Sequence, residues 1–191
     1  MTEGSDKRVP PDVQALLRTL KAYSVEFVVA GSVAVEAWGA DVGVPGDLDI
    51  VPATNRRNLE RLVNAMRQVD AQSWPVTGRW VSGDGGETTW EEYVDNDPRR
   101  GQPLPDADPD NIETLDSLFS TRHGELDIVP RISGTFEELI HRAAVLTVRG
   151  VDNVDVMSID DLLVHLTVPR RKKDVGRVAV LRGRQRESSR S

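Results

Sequence analysis

The sequence predicts one domain of the α/β or α+β class, in which a sheet is flanked by helices. Strand-like apolar segments alternate with amphipathic helical segments along most of the chain. The 191 residues are enough for one domain with a core of its own. An apolar fraction of 38% and a charged fraction of 29% are typical of a folded, well-hydrated protein. No repeat of solenoid length is present, so a repeat architecture is excluded.

Capping residues and apolar spacing predict the elements of the first third of the chain. Pro10-Pro11-Asp12 is a helix start signal, and Thr54 is a suitable N-cap. The predicted elements are a helix over 13–23, a strand over 25–30, a short helix over 32–40, a strand over 46–51 and a helix that ends near Val69. This alternation of strands and helices indicates an α/β or α+β sheet.

The rest of the chain is predicted in the same way, after an insertion of different composition. Residues 72–112 are rich in Gly and Pro and hold three of the four Trp residues, Trp74, Trp80 and Trp90, so we expect a long irregular insertion with a hairpin near 76–80. The later elements are predicted as a hairpin of 114–121 with 125–129, a helix over 136–144, strands over 145–148 and 154–157, a helix from Ser158 to about Val168 and a basic helix over about 171–181. We therefore expect a main domain over 10–157, C-terminal helices over 158–183 packed on it, and disordered ends at 1–9 and 184–191.

The composition restricts the chemistry of the protein. Because Cys is absent, disulfides, thiolate zinc sites and thiol nucleophiles are excluded. Any metal must then be bound by oxygen or His ligands, which favours Mg²⁺ or Mn²⁺. No segment approaches the roughly 20 apolar residues of a membrane span, and the first residues lack the pattern of a signal peptide. We expect a cytoplasmic protein with no membrane partner.

The net charge of −7 is distributed unevenly. Nine basic and two acidic residues between Pro169 and Ser191 give that segment a charge of +7, which leaves −14 for residues 1–168. Such a basic segment attracts nucleic-acid or nucleotide phosphates, but it is equally typical of the solvated face of a terminal helix. Both interpretations stay open.

Two six-residue segments have nearly the same sequence, Asp-Leu-Asp-Ile-Val-Pro at 47–52 and Glu-Leu-Asp-Ile-Val-Pro at 125–130. They put Asp47, Asp49 and Asp127 into strand-like sequence, where Asp is normally depleted. Side chains at i and i+2 of a strand share a face, so Asp47 and Asp49 present two carboxylates side by side. If the strand of Asp127 lies beside them, three carboxylates form an oxygen-rich site for Mg²⁺ or Mn²⁺. The alternative for an isolated Asp-x-Asp is the solvated face of an edge strand.

Gly31 and Ser32 stand between a predicted strand and a predicted helix. Glycine there lets the backbone approach a phosphate closely, and Ser32 adds a hydroxyl donor. By itself a Gly-Ser pair is equally a common turn or helix cap.

Together, the strand, Gly31-Ser32, the short helix, the Asp-x-Asp strand and the later Asp127 resemble the nucleotidyltransferase superfamily, which shares a palm fold with DNA polymerase beta. The resemblance implies an α+β fold with a mixed-sheet palm, flanking helices and a C-terminal helical segment. It implies that Asp47 and Asp49 bind metal, that Asp127 is the third carboxylate and activates the acceptor hydroxyl, and that Gly31 and Ser32 hold the triphosphate of an NTP.

Further segments, at 134–139, 154–163 and 172–175, resemble the C-terminal part of prokaryotic minimal nucleotidyltransferases, the group that includes AbiEii and MenT-type toxins. This implies Lys173 as a phosphate contact, an acceptor that is RNA or tRNA, a protein side chain or a small molecule, and a partner antitoxin. His165 stands where relatives commonly carry a lysine, and a neutral His does not replace that charge. The alternatives are a catalytically silent member that binds a nucleotide or partner, and a phosphate-releasing hydrolase.

Overall fold

The structure is a computed structural model that describes residues 10–41, 43–75, 77–82, 88–103, 105–166 and 172–188. The expected disorder of residues 1–9 and of the last three residues lies outside these ranges, as does the predicted end of the helix near Val168. Among the helices that the structure describes, none is long and apolar enough to cross a bilayer.

The described part of the chain contains six α-helices and nine strands. The helices are α1 (Val13–Ala22), α2 (Gly31–Ala37), α3 (Arg56–Gln68), α4 (Phe136–Ile140), α5 (Ile159–Leu166) and α6 (Lys172–Ser188). The strands are β1 (Phe27–Val29), β2 (Leu48–Pro52), β3 (Gln72–Ser73), β4 (Gly78–Ser82), β5 (Thr88–Glu92), β6 (Ser117–Thr121), β7 (Gly124–Ile128), β8 (Ala144–Val148) and β9 (Val151–Val156).

Seven strands form one mixed sheet in the order β3-β6-β7-β2-β1-β9-β8. Strand β2 is parallel to β7 and β1 is parallel to β9, whereas the remaining neighbours are antiparallel. Strands β4 and β5 form a separate antiparallel hairpin. The mixed sheet with its helices confirms the predicted α+β class, and the hairpin predicted around residues 122–124 is present as β6 and β7.

Helix α3 is attached to the sheet by a buried asparagine. Asn55, and not the predicted Thr54, caps the helix, because the Asn55 side chain accepts a hydrogen bond from the Asn58 backbone N–H at 3.0 Å. Asn58 is fully buried, and its amide group bonds the backbone N–H and C=O of Glu26 and the C=O of Ala53. These bonds attach α3 to the backbone just before β1 and just after β2.

The insertion contributes to the main sheet. Residues 72 and 73, expected in irregular structure, pair antiparallel with β6 as the edge strand β3. The hairpin predicted near 76–80 is instead formed by β4 and β5, with Trp80 in register with Trp90. A strand of two residues is too short to leave a periodic pattern in the sequence, which explains why β3 was not predicted.

The last helix extends further than its composition suggested. Helix α6 runs to Ser188, whereas the prediction ended it near Leu181 and made the chain disordered from residue 184. Leu181 is fully buried in the core, and Gln185 donates a hydrogen bond to Asp160 at the start of α5. These contacts hold the helix against α5 beyond the predicted end.

Candidate active site

Three carboxylates meet on one face of the sheet at β2 and β7. The parallel register sets Asp49 directly opposite Asp127, and Asp47 immediately precedes β2. Each of the three offers a carboxylate oxygen within 4.8 Å of the others, and each side chain is half-buried. The structure therefore brings together the three residues that the sequence singled out.

The alternation of side chains along both strands explains this arrangement. Leu48 and Ile50 on β2, and Leu126 and Ile128 on β7, are buried in the core. Successive residues of a strand point to opposite faces, so the aspartates between these apolar residues point away from that core. Burial of four aliphatic side chains thus fixes the register that aligns the carboxylates.

Gly31 lies beside this cluster, at a position where a side chain would collide with Asp49. Strand β1 runs antiparallel to β2, and the Ala30 N–H donates a 3.0 Å hydrogen bond to the Asp49 carbonyl oxygen. The next residue, Gly31, has a φ of +58°, and a Cβ added to it would lie 1.9 Å from Oδ2 of Asp49. Any other residue would both strain the backbone and collide with the carboxylate. The helix expected from Ser32 begins at this glycine and ends at Ala37.

The cluster raises the pKa of two of its members. Burial, followed by the negative charges of Asp47 and Asp127, raises the pKa of Asp49 to about 7, against the opposing effect of hydrogen bonds from the backbone N–H groups of Asp49 and Ser32. Burial, Asp47, Asp116 and Glu125 raise the pKa of Asp127 to about 6. Like charges held together disfavour ionisation, and a bound cation reverses that effect.

The donor set fits a hard divalent cation. Three carboxylate oxygens in reach of one another are typical ligands of Mg²⁺ or Mn²⁺, and neither thiolate nor imidazole is part of the cluster. Asp47, Asp49 and Asp127 are therefore the residues able to hold such an ion.

Sequence reasoning missed Glu125, which accompanies the cluster. Glu125 lies two residues before Asp127 on β7, shares its face and is only 5% exposed. The spacing of Glu125 and Asp127 repeats that of Asp47 and Asp49, and this repeat was the signal that could have identified it. The pairing of Leu48 with Leu126 places residues 47 and 125 next to each other in the parallel register.

Two other positions, Lys173 and His165, were singled out from the sequence. The backbone of Lys173 lies in the first turn of α6, but its side chain lies outside the described part of the structure. His165 lies in the last turn of α5. Within the part of the chain that the structure describes, the aspartate cluster consists of Asp47, Asp49 and Asp127 and does not include His165.

Comparisons with known proteins identify the architecture. No protein-family model matches the chain, and no curated protein matches it. A solution structure of the antibiotic-resistance factor ANT(2'')-Ia, an aminoglycoside nucleotidyltransferase, is similar with a TM-score of 0.53 and 14% identity, over 93% of this chain and 90% of that chain. The fold is nucleotidyltransferase-like. At this identity the similarity establishes the nucleotidyltransferase-like fold alone, and it does not point to the AbiEii or MenT-type group.

Proposed function

We propose that this protein transfers a nucleoside monophosphate from an NTP to an acceptor hydroxyl. One observation carries the proposal: Asp47, Asp49 and Asp127 converge on adjacent strands of a nucleotidyltransferase-like sheet, beside a glycine whose Cβ would collide with Asp49. A cluster of aspartates that raises its own pKa values destabilises the metal-free protein at neutral pH, and such a cost is typical of a functional site.

The aspartates would hold Mg²⁺ or Mn²⁺ in the proposed reaction. Bound there, the metal would neutralise phosphate charge and make the acceptor hydroxyl more acidic. Gly31 and Ser32 lie next to Asp49 and would receive the triphosphate, with the Ser32 hydroxyl as a hydrogen-bond donor. Lys173 would add a positive charge to the same group.

The reaction forms a bond between the acceptor oxygen and the α-phosphorus, and breaks the bond between the α-phosphorus and the bridging oxygen of the β-phosphate. Pyrophosphate leaves, and Asp127 takes the hydroxyl proton. The metal would make the acceptor hydroxyl acidic enough for a carboxylate to accept its proton.

A transfer assay with NTP labelled on its α-phosphate, Mn²⁺ and total RNA tests the proposal. We expect label on the acceptor with wild-type protein, loss of label with Asp49→Asn, and unchanged labelling with Asp155→Asn, a matched carboxylate on β9 outside the cluster. Transfer that survives Asp49→Asn would refute the metal-site mechanism. Tight NTP binding without transfer would favour the silent alternative that His165 suggested, and free monophosphate or phosphate would indicate a hydrolase.

The resemblance to AbiEii and MenT-type toxins extends the proposal to an RNA acceptor and a neutralising partner protein. The basic residues exposed on α6, such as Arg182 and Arg186, suit a phosphate backbone. Under this extension, expression of the wild-type chain arrests growth and expression of the Asp49→Asn variant does not. Normal growth with a protein that is active in the transfer assay would remove the toxin role and leave the transferase proposal intact.

A further inference from the structure

Two apolar side chains continue the row of the aspartates across the sheet. On β6, Leu118 is in register with Asp127, which is in register with Asp49 on β2. Just after β3, the backbone N–H of Trp74 donates a 3.2 Å hydrogen bond to the carbonyl oxygen of Leu118. The order across four neighbouring segments is therefore Asp49, Asp127, Leu118 and Trp74.

These residues share the face of the carboxylates. Directly paired residues of adjacent strands point to the same side of a sheet. Their chain neighbours Phe119 and Leu126 are buried in the main core on the other side. Leu118 and Trp74 are half-buried, and the Nε1 atom of Trp74 is fully buried. The indole is thus held in place while part of this apolar surface reaches solvent beside Asp127.

The row also has a direction. Gly31, the proposed triphosphate position, lies against Asp49 at one end, and the apolar pair lies beyond Asp127 at the other. In phosphoryl transfer the attacking and leaving oxygens are roughly in line, on opposite sides of the phosphorus. An acceptor that attacks while pyrophosphate leaves towards Gly31 therefore approaches from the side of Leu118 and Trp74.

We propose that Leu118 and Trp74 form the acceptor-binding surface of this site, and that they bind a planar nucleobase next to the reacting hydroxyl. This inference rests on the proposed function and specifies its acceptor. An indole and an isobutyl group offer flat apolar area on which a nucleobase stacks. A polyol or an aminosugar needs polar partners instead, and the polar atom of these two side chains, the indole nitrogen of Trp74, is buried. The acceptor is accordingly an unpaired nucleotide of a single-stranded RNA.

The test compares Trp74→Ala, Trp74→Phe and Leu118→Ala with a control, Leu146→Ala, which truncates a half-buried leucine on β8 at the opposite edge of the sheet. The measured quantities are the KM for a single-stranded RNA oligonucleotide with a free 3′-hydroxyl and the KM for the NTP. We expect Trp74→Ala to raise the oligonucleotide KM at least about tenfold. The NTP KM stays unchanged, Trp74→Phe restores most of the loss, and Leu146→Ala behaves as wild type.

An unchanged oligonucleotide KM in Trp74→Ala would overturn the proposal, as would a rise in the NTP KM instead. So would labelling of a polyol or aminosugar in preference to the oligonucleotide. Circular dichroism melts identify variants that fail to fold, and Leu118→Ala then supplies the second measurement.

Binding without chemistry separates this inference from the proposed function. Anisotropy of a fluorescein-labelled single-stranded RNA reports on the apolar surface in the Asp49→Asn background, where transfer is not required. If wild-type protein transfers nothing but its RNA affinity still falls at least about tenfold in Trp74→Ala and not in Leu146→Ala, the transferase proposal fails and the binding surface stands. If transfer occurs and that affinity does not change, the surface fails alone.

Discussion

Two carboxylates of this protein have opposite surroundings. Asp161, at the start of α5, is 7% exposed and accepts hydrogen bonds from Arg142 at 3.1 and 2.8 Å and from the Ser158 hydroxyl at 2.6 Å. Burial alone would raise the pKa of Asp161. The hydrogen bonds and the charge of Arg142 lower it by more than burial raises it, so the pKa lies below its ordinary value. Asp49 instead faces Asp47 and Asp127, and its pKa rises to about 7.

Asp161 therefore stabilises the folded protein, whereas Asp49 destabilises the metal-free folded protein at neutral pH. The charge of Asp161 is compensated within the chain, and it connects α5 to the residues that follow α4. The charge of Asp49 is left for something outside the chain to compensate, which is expected of a site that binds a cation. Substitution at the two positions should therefore have opposite effects on stability and on activity.

The largest effect is expected for Asp49→Asn. Loss of one metal-binding carboxylate should lower transfer by about 10³-fold, the scale seen when a group that stabilises charge in a transition state is removed. The melting temperature at pH 7.5 should be equal to or above that of the wild type, because a repelling charge is removed. Initial rates and thermal melts measure the two quantities. A lower melting temperature with full activity would reverse the comparison between Asp49 and Asp161.

Gly31→Ala should have the next largest effect. The new Cβ would lie 1.9 Å from Oδ2 of Asp49 at a backbone φ of +58°, so the carboxylate or the chain has to move. A displacement of about 1 Å at a reacting centre costs roughly 10²-fold in rate. Gly43→Ala is a matched control, since Gly43 also has a positive φ, of 68°, and its Cβ meets no atom within 4 Å. Equal losses in both variants would attribute the effect to backbone strain alone.

Asp161→Ala should lower stability and leave the chemistry unaffected. The change removes the partner of Arg142 and Ser158 and should cost about 2 kcal/mol of unfolding free energy, in the range of hydrogen bonds to charged groups. Urea unfolding followed by circular dichroism measures the cost. Asp106→Ala, at an exposed position far from α5 in the sequence, is the control. Normal stability with reduced transfer would place Asp161 in the site and contradict its structural role.

How far these features could be predicted depends on whether their signal is local. Asp47, Asp49 and Gly31 stand out because a charged or flexible residue interrupts an apolar segment, and their placement follows from strand alternation. The strand that carries Asp127 was predicted because its sequence is nearly the same as that of the segment with Asp47 and Asp49. The parallel register of β2 and β7 then places Asp127 opposite Asp49.

Features that depend on pairing between distant segments could not be predicted in this way. Trp74 reaches the row of the aspartates through the two-residue strand β3, which has no periodicity to detect. Asp47 and Glu125 are adjacent only because β2 and β7 pair in this register. Helix α6 continues to Ser188 because Leu181 is buried in the core and Gln185 donates a hydrogen bond to Asp160 on α5. Composition alone does not reveal either contact.

The smallest expected effect is the dependence of stability on pH. In the folded protein Asp49 and Asp127 have pKa values of about 7 and about 6, against an ordinary value of 3.8 for an aspartate. At pH values above about 4 and up to about 7, the folded state binds more protons than the unfolded state. The contribution of Asp49 and Asp127 to stability is therefore complete below about pH 4 and is lost as the pH rises through 6 and 7. Without divalent metal, the wild type should melt a few degrees higher at pH 5 than at pH 7.5.

The Asp49→Asn variant isolates that contribution, because it keeps every other titrating group of the chain. Its melting temperature should change less between pH 5 and pH 7.5 than that of the wild type. Mg²⁺ or Mn²⁺ should stabilise the wild type more at pH 7.5 than at pH 5, since the ion binds deprotonated carboxylates and competes with protons for them. Asp161→Asn should retain the full metal response, because Asp161 is already paired with Arg142 and lies outside the cluster. A metal response that is equal at both pH values would show that the cluster is not where the ion binds.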